Sequence, residues 1–471
     1  MNCSNSNVYN LRTIFELRKT VPTQNRRTVA RVFVHNNRPG LVDNSGALWP
    51  IDFLNQNSPQ EEAVLLCEVS WSRTDGNDAS KYEDDGFQLC VEAIHDCTPA
   101  LTTWPNAIIS APGPVFTEQH DTIPNPAHNA ALAIHTRYFH STVSLRAKIL
   151  NIRNRGLSKI RCFFENRGFV NMETPTLVPS GGVEAYVSSF HTTYTDVRGK
   201  SWRISMPTSP EFALKKLLAE GFQKVFQLSR AYRNSGELAR WHEPEFMMLE
   251  WYRSGATLQD IMNDTRELVL ALDASLGTNS VVPKNWKTHT VRELFLQHCS
   301  LDISQLQNEQ DFRNAAQKIS ASIVSTDDWD SVFCKLFMEK IEPHLAAEKA
   351  CFVTHYPRRM GALARVAKDS LYVERVEAYL QGVEICNGYF ELTDTVELKD
   401  RFDTISQKRD ANEVTRDLIF EETMKFGLPP CSGNALGVDR VIAIVSGIPE
   451  IAKLFPIPFV SQFPHNSVAP E

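Results

Sequence analysis

Hydrophobic and polar positions alternate in short runs between residues 27 and 98, then give way to helical spacing beyond residue 142. In the first region TVARVFVHN (28–36) predicts a strand, and GLVDNSGALWPIDF (40–53) predicts a hairpin turned at Asn44-Ser45-Gly46. AVLLCEVSW (63–71) and FQLCVEAIH (87–95) predict two more strands across an acidic, turn-rich loop, DGNDASKYEDDG (75–86). Pro99, Pro105, Pro112, Pro114, Pro124 and Pro126 mark an extended linker after them. VSLRAKILNIRNRGLSKIRCFFENRGF then sets Leu145, Ile149, Ile152, Ile160, Phe163 and Phe164 on one recurrent face ending at Gly168. STDDWDSVFCKLFMEKIEPHL (325–345) does the same with Trp329, Val332, Phe333, Leu336, Phe337 and Ile341, so an amphipathic helix is expected there.

These runs set the expected organisation. A tail covers 1–26, a small all-β barrel of the OB type 27–98, a proline-rich linker 99–141, a large α+β region 142–456, and a second tail 457–471. A β-sandwich fragment fits the first alternation nearly as well. With 42% hydrophobic and 22% charged residues in 471, the composition is that of a globular protein. A formal net charge of -7 gives no global basic field of the kind nucleic acid attracts. The ten cysteines are scattered without a CxxC pair, which favours free thiols over disulfides or zinc. No run approaches the ~18 apolar residues of a membrane helix, and the N-terminus lacks a cleavable apolar core. A cytoplasmic location is expected.

Candidate chemistry first shows where strand-like sequence carries acids. VERVEAYLQGVEICNGYFEL (373–392) places Glu377, Glu384 and Glu391 among apolar residues. Burying carboxylates costs free energy unless cations or hydrogen-bond donors compensate them. With Gln381-Gly382 as a two-residue turn, Tyr379 pairs with Glu384, and Glu377 lies diagonal to Glu384, within ~7–8 Å at Cα. Two such carboxylates could share a hydrated Mg²⁺, which binds through one or two carboxylates plus substrate phosphates. Asn387, Tyr389 and Glu391 alternate onto one face, a polar wall for an ammonium group.

Two more segments carry cations. KVFQLSRAY (224–232) and EFMMLEWY (245–252) predict strands around a polar loop with Arg233, Arg240 and His242. There an arginine can clamp a phosphate and an aromatic ring can stack on a purine. SGNALGVDRVIAIVSG (432–447) reads as a glycine-punctuated strand entering a helix near Asp439-Arg440. Taken singly, each arginine is more often a surface ion pair, and the acids a solvated hairpin face. Cys386 reads as a packing residue.

Together the segments resemble the three signature motifs of class II aminoacyl-tRNA synthetases. GFVNMETPTL (168–177) is similar to the dimer-interface motif with its proline, Pro175; RAYRN with HEPEF is similar to the second motif, and GVDR to the third. The order of SPEFALKK, HEPEFMMLEWY, VEICNGYFELTD and ALGVDR resembles the lysyl branch, over roughly 142–456. The resemblance implies an antiparallel catalytic sheet flanked by helices, a homodimer, ATP, and magnesium held by Glu377 and Glu384. It implies Arg233 on the α-phosphate, Phe246 stacked on adenine, and His242 and Arg440 on the outer phosphates. Asn234, Ser235, Glu243, Ile385 and Gly437 would complete the nucleotide site. Glu211 would bind the substrate α-amino group with Ser209 beside it, and Tyr252, Asn387, Tyr389 and Glu391 would line the side-chain pocket. The substrate carboxylate would attack the α-phosphorus to give an acyl-adenylate, which a second nucleophile then takes. In the second motif Ser235 stands where the family has Glu, and the loop before His242 is longer, so the reach of Glu237 is open. Glu243 stands where Asn is usual.

Two acceptors are implied. TSPEF, PEFMMLEWYR and PPCSGNALGVDR look more like the paralogous branch that attaches (R)-β-lysine to a lysine of elongation factor P, with Ala435 where tRNA-charging enzymes tend to have Gly. The usual paralogue lacks the domain ahead of the catalytic region, which is more like a lysyl-tRNA synthetase charging tRNA(Lys). Residues 1–140 hold 10 basic against 15 acidic side chains, a poor balance for an anticodon reader. The expected activity is therefore ATP-dependent activation of lysine or (R)-β-lysine and transfer to elongation factor P, with tRNA charging as the alternative. A non-catalytic sensor of lysine or nucleotide is the third reading. It sits badly with Glu211, Arg233, Glu377, Glu384, Glu391 and Arg440 all being present.

Overall fold

The computed structural model describes the backbone of five strands within residues 26–99, and residues 143–462 apart from 183–186, 235, 237, 278–280, 362, 369–370 and 409–415. The expected turn at Asn44-Ser45-Gly46, most of the proline-rich linker and residues 1–25 and 463–471 of the two expected tails lie outside the described residues, as do Ser235 and Glu237; the second tail opens with a short 3-10 helix, Phe459–Gln462. Contacts divide the chain into Met1–Asn151 with Phe455–Glu471, and Ile152–Leu454.

In the first unit β1 (Arg26–His35), β2 (Arg38–Val42), β3 (Leu48–Phe53), β4 (Ala63–Arg73) and β5 (Phe87–Pro99) form a closed barrel in the order β1-β2-β3-β5-β4. Every neighbouring pair is antiparallel except β3 with β5. β5 runs on through Pro99, the first proline of the expected linker, which a strand tolerates at its end.

The second unit is built on one large sheet. Its strands are β6 (Val170–Asn171), β9 (Lys224–Tyr232), β10 (Glu245–Ser254), β11 (Lys287–Thr290), β12 (Ala350–Pro357), β13 (Tyr372–Leu380), β14 (Val383–Phe390) and β15 (Cys431–Gly437). A separate hairpin pairs β7 (His191–Thr195) with β8 (Ser201–Ser205). The large sheet runs β11-β12-β13-β14-β15-β10-β9-β6. An entirely antiparallel sheet was the expectation, and only the central strands meet it. The short edge strands β11 and β6 pair in parallel with β12 and β9. Parallel neighbours need crossover connections rather than hairpins, and the hairpin-rich core motifs do not announce them.

The helices are α1 (Val143–Glu165), α2 (Glu211–Ala219), α3 (Leu258–Leu276), α4 (Val291–Cys299), α5 (Glu309–Gln317), α6 (Trp329–Leu336), α7 (Glu342–Ala347), α8 (Thr395–Lys408), α9 (Leu418–Lys425) and α10 (Val438–Val445). The helix expected across 325–345 is thus two helices, joined by a π turn over Phe337–Ile341. The Glu342 N–H reaches the Phe337 carbonyl, and Pro343 follows with no N–H to donate. Its apolar positions from Trp329 to Ile341 are nonetheless buried together, as the spacing predicted.

Side chains alternate across β10 and β15, giving the sheet two distinct faces. On one, Trp251 packs against Phe164 of α1, ring centroids 5.2 Å apart, and Asn434 donates to Thr265 of α3 at 2.8 Å. The other face, with Glu250, Tyr252, Gly433 and Ala435, borders a cavity.

Candidate active site

β13 turns into β14 at Gln381 and Gly382, whose φ angles of 52° and 80° suit a type I′ hairpin. Tyr379 pairs with Glu384, as counted from the sequence. Beyond that point the ladder slips: Ala378 pairs with Cys386 and Glu377 with Asn387, leaving Ile385 as an extra residue. Strict alternation would send Glu384 and Asn387 to opposite faces. The bulge returns both to the cavity.

The cavity, about 1660 Å³, is floored by two rows of side chains running across four strands. Glu377, Asn387, Ala435 and Glu250 form one row; Arg375, Tyr389, Gly433 and Tyr252 form the next. Gly433 is required there, because a Cβ would lie 2.2 Å from the Tyr252 ring. Glu211, at the start of α2, and Glu391, just past β14, close this end, with Ser209 Oγ accepting from the Glu211 N–H at 3.3 Å.

This end is rich in buried acid. The Tyr252 hydroxyl donates to Glu250 Oε1, while Glu250 Oε2 is buried without a partner among the described residues. Burial, then the nearby Glu211, pushes the Glu250 carboxyl well above its usual range. Burial also pushes Glu391 up to about 7, against the pull of Lys215. Lys215 Nζ stands 2.5 Å from Glu211 and 2.5 Å from Glu391. Burial alone would discharge it, but the two carboxylates hold it protonated. The sequence reading sought an external ammonium for Glu391; the fold supplies an internal one. Neither Glu250 nor Lys215 was singled out, because each looked like an ordinary charge inside an amphipathic strand or helix.

The other end is cationic. Arg233 lies over the Phe246 ring at 5.2 Å, and its buried Nε has no partner among the described residues. Arg440 donates to the Glu384 and Trp241 carbonyls at 2.7 and 3.1 Å and meets His242 Nε2 at 3.0 Å. Glu243, Ile385 and Gly437 also line this end. Asn234 is not among the residues that line the cavity; its N–H donates to the Ser188 carbonyl at 2.8 Å.

The two acids expected to share a cation differ in their surroundings. Glu377 already has three donors: Arg375 at 2.5 Å, Tyr356 at 2.5 Å and Tyr379 at 2.7 Å. Tyr356, to which the sequence reading gave no role, thereby holds this carboxylate. Among the described residues no side chain donates a hydrogen bond to the Glu384 carboxylate, and burial, then Glu377, raises its carboxyl to about 7. A divalent cation would relieve that charge. Among the described residues no cluster of three metal-ligating side chains exists, so phosphate and water would supply the other ligands. Glu384 would hold such a hydrated cation, and Glu377, whose Oε1 takes only the Arg375 donor, has a lone pair left to join it.

The cavity is therefore polar at both ends, with acids gathered at one and arginines at the other. A family profile described as "tRNA synthetases class II (D, K and N)" matches residues 129–465. The chain belongs to this class II synthetase family. It is 33% identical over 321 residues to a protein of Hamiltonella defensa named elongation factor P–(R)-β-lysine ligase, covering 66% of this chain and 96% of that one. A protein of the same name from Pectobacterium carotovorum is 35% identical over 317 residues, covering 65% of this chain and 94% of the relative. Another from Salmonella arizonae is 34% identical over 317 residues. This class II chain has no helix, among its described residues, long and apolar enough to cross a membrane.

Proposed function

We propose that the protein is an ATP-dependent ligase that activates (R)-β-lysine or lysine and transfers it to a lysine side chain of an elongation factor P-like protein. The observation that carries the reading is the polarity of one cavity: Glu211, Glu250 and Glu391 gather at one end, Arg233, Arg440 and Glu384 at the other. A diamino acid laid along the rows puts its ammonium groups among the acids and its carboxylate toward Arg233. ATP, as co-substrate, would stack adenine on Phe246 and turn its phosphates to Arg233, His242 and Arg440.

The substrate carboxylate oxygen attacks the α-phosphorus, the bond to the β-phosphate oxygen breaks, and pyrophosphate leaves. Arg233 stabilises the charge that develops on the α-phosphoryl oxygens. In the second step the neutral acceptor amine attacks the carbonyl carbon, AMP leaves with the bonding pair, and the amine sheds a proton. Glu384, with Glu377, is the seat for magnesium, which when bound would neutralise phosphate charge. Positioning and fixed charge supply the catalysis, without a protein nucleophile.

We infer an OB-like assignment for the five-stranded barrel from its strand order, and a catalytic region over 142–456 from the sheet and cavity. Exposed Val170 and Leu177 near Pro175 support a homodimer through 168–177. A cytoplasmic site of action agrees with a translation-factor acceptor.

The test is transfer of labelled (R)-β-lysine to a purified elongation factor P carrying its acceptor lysine, beside tRNA(Lys). Label in protein, abolished by replacing the acceptor lysine, supports the reading. Label only in tRNA would move the protein to the tRNA-charging branch.

A further inference from the structure

Glu211, Glu250, Tyr252 and Glu391 line the cavity, whereas Lys215 lies behind them, with its side chain 2% exposed. Its Nζ is 2.5 Å from Glu211 Oε1 and 2.5 Å from Glu391 Oε2, and 5.8 Å from the Tyr252 ring centroid. A substrate in the cavity would touch the acids and never the lysine.

We propose that Lys215 is a positioning residue whose ammonium ties Glu211 on α2 to Glu391 beyond β14, and so sets the spacing and charge of the acids that receive the substrate's amino groups. This inference rests on the amino-acid pocket assigned above. Glu211 opens a helix and Glu391 follows a strand, so no shared backbone ladder joins the two. Lys215, one helical turn along from Glu211, is the connection.

Charge matching follows from the same arrangement. Three carboxylates around one ammonium leave a surplus of two negative charges when all are ionised. A diamino acid brings two ammonium groups. The charged or titratable groups facing Lys215 are Glu211 on its own helix, Glu250 and Tyr252 from β10, Glu391 after β14, and Cys431 from β15. Without the lysine, three buried acids would confront one another with no internal cation. They would retain protons to higher pH, and a diammonium substrate would bind only as those protons leave.

Lys215→Met and Lys215→Arg test this in the full chain, by amino-acid-dependent pyrophosphate exchange between about pH 6 and 9. For Lys215→Met the KM for the diamino acid should rise at least about ten-fold, with a smaller change in kcat. That KM should fall as pH rises, a trend weaker in the wild type and in Lys215→Arg, which keeps the charge. A lysine serving only the fold would lower the melting temperature without moving KM or its pH profile, and that result overturns the proposal. If Lys215→Met does not fold, Lys215→Gln replaces it, and equal KM values for the Gln and Arg variants overturn the proposal as well. No exchange by the wild-type protein with any diamino acid would sink the pocket assignment itself; wild-type exchange with an unmoved variant would sink only the role of Lys215.

Discussion

Glu384 and Asn387 project from the same face of β14 although they are three positions apart, because the ladder with β13 gains Ile385 between the pairs at Tyr379 and Ala378. This bulge lets the Glu384 carboxylate and the Asn387 amide share one cavity.

The two neighbouring acids should respond differently to loss of charge. Glu377→Gln leaves Arg375 buried without its counter-ion, so it should cost about 3–5 kcal/mol of stability and lower the melting temperature. Glu384→Gln removes a carboxylate that is strained by burial. It should melt at or above wild type while exchange falls by about 10²-fold or more. Thermal melting and exchange, run on both variants, check the contrast.

Arg233→Ala should lower kcat by about 10²–10³-fold with little change in the KM for amino acid, because its guanidinium acts on charge that develops at phosphorus. A steady-state comparison with Arg233→Lys separates charge from the planar fork.

Ala435 stands between Asn387 and Glu250 in one row, so its methyl occupies the floor between two polar groups. Ala435→Gly should improve use of α-lysine relative to (R)-β-lysine by roughly ten-fold, the usual worth of one methyl in a fitted pocket. The ratio of kcat/KM values for the two isomers reads this directly.

Glu384 and Glu391 both rise from 4.5 to about 7 in the folded protein. A carboxyl with a raised folded pKa holds more protons folded than unfolded between those values. The ligand-free protein therefore loses stability from these groups as pH rises from about 4.5 through about 7. Cationic ligands favour the ionised forms and offset that loss. The gain in melting temperature from diamino acid, ATP and magnesium together should be larger at about pH 8 than at about pH 6. An equal or smaller gain at the higher pH would remove these carboxylates from the binding site.

The sequence made much of this site legible because local rules placed its parts. β9 spans 224–232 as expected, Gln381-Gly382 makes the turn, and most named residues reach one cavity. What stayed hidden depends on tertiary placement. The bulge at Ile385 is a register slip with no composition mark. Lys215 meets Glu391 across a long stretch of sequence, and Glu250 feels Glu211 and Glu391 only through the tertiary fold. Tyr356 and Arg375 converge on Glu377 for the same reason.

The most direct test of the account is ATP–pyrophosphate exchange with magnesium and, in parallel, (R)-β-lysine, α-lysine and a monoamino acid of similar length. The account predicts exchange with the diamino acids, strongest with (R)-β-lysine, and none with the monoamino acid. Exchange indifferent to the second amino group, or absent with every substrate from a folded, ligand-binding protein, would contradict it.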